Sequence, residues 1–131
     1  MFSETATIGN QTELMFDVMA QSKGWCVGYP FDSALPYDRV VSFDGTKTWH
    51  KIQVKTAYSQ TSGYSYVFKV VNNRKERYDK TCDYIIALAE NNFYMFPVDE
   101  VSNVETKFSF RQSEKKDFFI GSMVINHELP R

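Results

Sequence analysis

The sequence predicts an α/β protein of the α+β kind, one helix near the N-terminus followed by a succession of short strands. Three observations predict it. Leu14, Met15, Val18 and Met19 recur at helical spacing before Gly24. Downstream, strand-length apolar runs are separated by turn clusters such as Asp44-Gly45 and Glu90-Asn91-Asn92. The chain has 131 residues, enough for one domain, residues 1–131, with a real core.

The elements follow in order. The helix is expected from about Gln11 to Lys23, with Asn10 or Thr12 as its cap and Gly24 as its stop. Trp25 to Tyr29 reads as a short strand ending at Pro30, and Phe31 to Pro36 as a loop. Asp38 to Phe43 and Trp49 to Ala57 read as a hairpin about Asp44-Gly45. Tyr64 to Val71 alternates as a strand does, and Asn72 to Lys80 is a polar, basic loop. Cys82 to Ala89 and Phe93 to Val98 are apolar enough to be buried strands. Asp99 to Val104 suits a helical turn, and the last 25 residues suit either helix or strand.

Composition excludes some classes. No apolar run approaches the roughly 20 residues that span a bilayer, and the opening MFSETATIGN has neither the basic start nor the apolar centre of a secretory signal. These features suggest a cytoplasmic protein. Cys26 and Cys82 lack metal or redox spacing and read as reduced thiols. His50 and His127 have no ligand partner nearby in sequence and read as surface residues. Asp83 reads as a structural pairing partner.

The net charge is only −1, but it is unevenly spread. Residues 1–46 carry two basic and six acidic side chains, residues 47–80 eight and two, and residues 81–131 five and eight. A basic middle between acidic ends can attract phosphate. Lys51, Arg74, Lys75 and Arg77 are the expected DNA contacts in that middle.

The hairpin carries the chemistry. Gln53 and Lys55 are two apart, so one strand face presents both, while Ile52 and Val54 face a core. Folding back from Asp44-Gly45 puts Asp38 opposite residues 50–52, or nearer 53 with a longer loop. Asp38, Gln53 and Lys55 then converge, and Glu13 on the first helix can complete the set. Such a set suits phosphodiester hydrolysis. Carboxylates hold a hard divalent ion, a lysine stabilises developing negative charge, and a glutamine offers a neutral carbonyl oxygen and an NH2 donor.

These residues resemble the PD-(D/E)xK nuclease superfamily, and within it the small homing endonucleases of bacterial group I introns. The resemblance covers roughly residues 9–100: "GNQTELMFDVMAQSKGW" as the opening helix, "DSALPYDRVV" as the loop into the metal-binding aspartate, "IQVKT" as the catalytic strand in its Gln form, and "YDKTCDYIIALAENNFYMFPVDEV" as a closing strand pair. The proline of the family motif is displaced, with Pro36 two residues before Asp38. The resemblance implies a central mixed β-sheet flanked by helices, in a restriction-endonuclease-like core. It implies catalytic roles for Glu13, Asp38, Gln53 and Lys55, with Asp38, Glu13 and Gln53 at a Mg2+ (or Mn2+) ion. It also implies cleavage of double-stranded DNA by a dimer or tetramer, in a bacterial or phage-infected cell. Two alternatives stay open: a structure-specific nuclease such as a Holliday junction resolvase, and a non-catalytic nucleic-acid-binding module.

Overall fold

The computed structural model describes residues 4–32, 34–45, 47–60, 64–71 and 76–123. Helix α1 (Glu4–Ser22) leads into strands β1 (Cys26–Gly28), β2 (Arg39–Ser42), β3 (His50–Ser59), β4 (Ser65–Lys69), β5 (Tyr84–Ala89) and β6 (Asn92–Pro97). A short helix α2 (Val98–Val101), β7 (Lys107–Arg111) and β8 (Phe119–Ser122) complete it. The sheet runs β1-β2-β3-β5-β6-β8, with β4 branching from β3 and carrying β7. Only β3 and β5 pair in parallel among these strands. This is the mixed sheet and α+β class expected from the sequence.

Strand alternation divides β3 and β5 between two cores. Ile52, Val54, Ile86 and Leu88 meet Phe16, Met19 and Ala20 of α1 on one face. Ile85, Ala87 and Ala89 meet Phe68 of β4 and Phe108 and Phe110 of β7 on the other. The β4–β7 pair thus folds over the sheet as a lid, with its aromatic residues inward.

The hairpin is pinned at its turn. Asp44 Oδ1 accepts hydrogen bonds from the Ser42 hydroxyl (2.8 Å) and from the main-chain N–H of Lys47 (3.2 Å) and Thr48 (3.1 Å). Gly45 supplies the left-handed backbone, with φ 79°, that the turn requires.

The structure corrects several expectations. Helix α1 starts at Glu4, well before Gln11, and Gly9 and Asn10 lie within it. Docking against the sheet overrides their weak helix propensity. Thr12 is therefore no cap: its hydroxyl reaches Ile8 O (3.0 Å) and Thr56 Oγ1 (2.7 Å). The buried stripe is also rotated, leaving Leu14 59% and Val18 61% exposed while Asp17 is buried. His50 is no simple surface residue. It is half-buried, with ring centroids 5.3 Å from Phe43 and 5.4 Å from Tyr84. The C-terminal stretch, left open between helix and strand, forms β7 and β8; His127 lies outside the described residues. Cys26 and Cys82 are both free thiols, and burial pushes Cys82 up to about 11.

Candidate active site

The site begins with a gap in the sheet. β2 pairs with β3 at Arg39↔Ile52, Val40↔Lys51 and Val41↔His50, then stops. β4 pairs with β3 only at Tyr58 and Ser59. Main-chain groups alternate edges along a strand. Ile52 and Val54 direct theirs toward β2, and by the same parity Thr56 and Tyr58 face that edge too. So β2 and β4 share one edge of β3 and leave residues 53–57 uncovered between them, while β5 covers the opposite edge.

Asp38 stands at this gap, one register step beyond Arg39 and hence opposite Gln53. Its N–H donates to Ile52 O (2.9 Å), and its Oδ2 accepts from Val54 N (2.9 Å). The side chain thereby replaces the ladder bond that β2 no longer supplies. Oδ1 has no hydrogen-bond partner among the described residues.

Four sequence-predicted residues line one cleft of about 440 Å³ at the gap: Glu13 from α1, Asp38, and Gln53 and Lys55 from β3. Lys69 of β4 and Lys107 of β7 line the same cleft. Burial raises the Asp38 pKa despite the Val54 hydrogen bond and the Lys55 charge. Burial, and next the Asp38 charge, raise that of Glu13. Burial lowers that of Lys55, opposed by Asp38 and Glu13. The Lys55 ammonium sits 4.7 Å from the centre of the Tyr78 ring. The Gln53 amide has no hydrogen-bond partner among the described residues.

A buried ionic network, invisible to the sequence reading, holds Glu13. Arg39 is only 6% exposed. Its guanidinium donates to Glu13 Oε1 (3.0 Å), to Asp17 Oδ1 and Oδ2 (2.8 and 3.1 Å), and to Asp38 O (2.7 Å). Tyr29 donates its hydroxyl to Asp17 Oδ2 (2.6 Å), and its ring lies 4.1 Å from the guanidinium carbon. Arg39 thus ties α1 to β2 where Asp38 and Glu13 meet. The available signal was the like-charged pair Glu13 and Asp17 one helical turn apart, unfavourable without a cation between them.

The remaining predicted residues lie elsewhere. Lys51 is exposed, with its ammonium 5.6 Å from the Tyr37 ring centre. Arg77 donates to three main-chain carbonyls: Val104 O (2.6 Å), Glu105 O (3.1 Å) and Ser102 O (3.0 Å). Arg74 and Lys75 lie outside the described residues. Asp83 accepts a hydrogen bond from Lys51 N (2.8 Å), the structural pairing expected of it.

No cluster of three or more His, Cys, Asp or Glu side chains suited to a metal occurs among the described residues. The donor set nevertheless fits a hard cation. Two half-buried carboxylates, Glu13 and Asp38, repel each other, each has one oxygen held by the protein and one left over, and Gln53 adds a neutral oxygen. Mg2+ is commonly held by one or two carboxylates with water completing its shell.

A nuclease fold and a cleft of this composition define the class. Residues 3–118 match the PD-(D/E)XK endonuclease family, and the chain belongs to that family. Among solved structures it is similar to the bacterial homing endonuclease I-Ssp6803I, at 23% identity and a TM-score of 0.71, over 90% of this chain and 88% of that one. It is also similar to Hjc, a Holliday junction resolvase from the hyperthermophilic archaeon Archaeoglobus fulgidus, at 16% identity and a TM-score of 0.57, over 82% and 87%. Among curated protein sequences none matches significantly. No helix among the described residues is long and apolar enough to cross a membrane.

Proposed function

We propose that this chain is a divalent-metal-dependent endonuclease that hydrolyses double-stranded DNA at defined sites, in the manner of a homing endonuclease. The observation that carries this reading is the convergence of Glu13, Asp38, Gln53 and Lys55 in the cleft at the open edge of β3. Asp38, Glu13 and Gln53 would hold Mg2+ or Mn2+, with Asp38 fixed by Val54 N and Glu13 by Arg39. When bound, the ion supplies Lewis acidity, favouring deprotonation of water and neutralising phosphate charge. Lys55 orients the attacking water and stabilises the negative charge that builds as the new P–O bond forms and the ester P–O bond breaks. The Gln53 NH2 group donates to water or to a phosphate oxygen.

The homing reading is supported by the Gln-x-Lys form of the strand and by a net charge of only −1. A resolvase reading is supported by the likeness to Hjc. The enzyme acts as a homo-oligomer, dimer or tetramer, in the cytoplasm of a bacterial or phage-infected cell.

The test is cleavage of supercoiled plasmid and genomic DNA with Mg2+ or Mn2+, against a chelator control. Discrete fragments from one duplex site are expected. Cutting of four-way junctions regardless of sequence would establish the resolvase alternative. Failure to nick any DNA with either ion would refute the enzymatic reading.

A further inference from the structure

The outer face of the β4–β7 pair carries charge that packing does not explain. Tyr66, Phe68, Phe108 and Phe110 turn inward. By alternation Ser65, Val67, Lys69, Lys107, Ser109 and Arg111 turn outward. This face holds three cations and no carboxylate. Lys69 lies directly opposite Lys107, and Ser65 opposite Arg111. Like charges directly opposite one another weaken a strand pair. Lysine on an edge strand discourages unwanted strand pairing, which accounts for Lys107, since β7 pairs only with β4. The same rule reaches Lys69, because β4 pairs with β3 only at Tyr66 and Val67, but it does not explain why the two lysines stand directly opposite each other.

We propose that this outer face is the track on which the DNA backbone lies as it enters the cleft. The proposal rests on the endonuclease reading above and specifies how that site meets its substrate. Lys69 and Lys107 line the cleft together with Gln53 and Lys55, so the track is continuous with the chemistry. Lys107 and Arg111 are separated by about 13 Å along the strand. Phosphates on one DNA strand also wind around the helix axis, so neighbours are about 7 Å apart in space and the two cations match phosphates roughly two steps apart. Ser109 places a hydroxyl donor between them, and Ser65 places another beside Arg111. Glu114 lies 3.9 Å from Arg111, both well exposed, and can release it to a phosphate. Arg77, with its donors on main-chain carbonyls, is less suited to this role.

The experiment measures binding of a mixed-sequence DNA duplex across a salt titration, with Ca2+ in place of Mg2+ to suppress cutting. Wild type is compared with the double variant Lys69→Gln, Lys107→Gln, and with Lys23→Gln, an exposed lysine at the far end of α1, as the control. Two lost phosphate contacts lower the log–log salt slope by about 1.8. Between roughly 50 and 200 mM salt, wild type then loses about 12-fold more affinity than the double variant. The control keeps the wild-type slope. The melting temperature of the double variant should not fall, since the change removes a repulsion. An unchanged slope in the double variant, with wild type binding normally, would overturn the track and leave the endonuclease intact. A folded wild type that neither binds nor cuts duplex DNA would overturn the endonuclease reading, and the track with it.

Discussion

Replacing Arg39 by methionine removes the cation that bridges Glu13 and Asp17. The side chain is nearly solvent-free, and four of its hydrogen bonds go to Glu13, Asp17 and Asp38 within 3.1 Å. Asp17 is 5% exposed and would keep only the Tyr29 hydroxyl as a side-chain partner. Removing one partner of a buried pair costs about 3–5 kcal/mol, because the other charge is stranded. Domains of this kind have total stabilities of about 5–15 kcal/mol, so the loss is a large fraction of the whole. With a urea slope near 2 kcal/mol/M, the unfolding midpoint should fall by about 1.5–2.5 M. Urea denaturation followed by circular dichroism measures this directly. Adding Asp17→Leu removes the stranded charge, so the double variant should be more stable than Arg39→Met alone. A loss below about 1 kcal/mol for the single variant would mean that water reaches Asp17 and that the junction is not sealed.

Lys55→Ala should lower the cleavage rate by about 100-fold or more with DNA affinity largely unchanged; a rate within tenfold of wild type would remove Lys55 from the chemistry. Asp38→Asn should abolish metal-dependent cleavage more completely than Glu13→Gln, measured as rate against Mg2+ concentration, and the reverse ranking would make Glu13 the principal ligand. Burial raises the folded-state pKa of Asp38 above its unfolded value, so its charge costs stability at neutral pH, and that cost fades as pH falls through the folded pKa. Asp38→Asn keeps an oxygen for Val54 N–H without the charge. It should therefore melt higher than wild type at neutral pH, with the gap closing in acid, and a lower melting temperature at neutral pH would contradict the burial argument. Gln53→Glu should bind Mg2+ more tightly by calorimetry yet cut no faster, because the NH2 donor is lost; equal ion affinity in both proteins would place Gln53 away from the ion.

The parts legible in the sequence are those set by local rules. Asp44-Gly45 marked the turn, and the two-residue period of Gln53 and Lys55 put both beside one cleft while Ile52 and Val54 entered the core. The expected slide of Asp38 toward residue 53 is where the register falls. What escaped depends on contacts distant in sequence. Arg39 and Asp17 drew no reading from the sequence: Glu13 and Asp17 one helical turn apart call for a cation, but nothing local says which cation will be buried between them. The α1 stripe was misjudged for the same reason: burying Asp17 turns Leu14 and Val18 outward. Lys69 and Lys107 become neighbours only when β7 folds onto β4.

The Asp44 turn lies about 20 Å along the strand from Asp38, yet it decides what Asp38 meets. The hairpin acts as a gauge, with its zero at the turn and its reading at the cleft. Sliding it by one residue would leave every cleft-lining side chain in the sequence but carry the Asp38 carboxylate to the opposite face of the sheet. A centre built this way forgives a change of chemistry, such as an amide where an acid could stand, more readily than a miscount in the loop that spaces it.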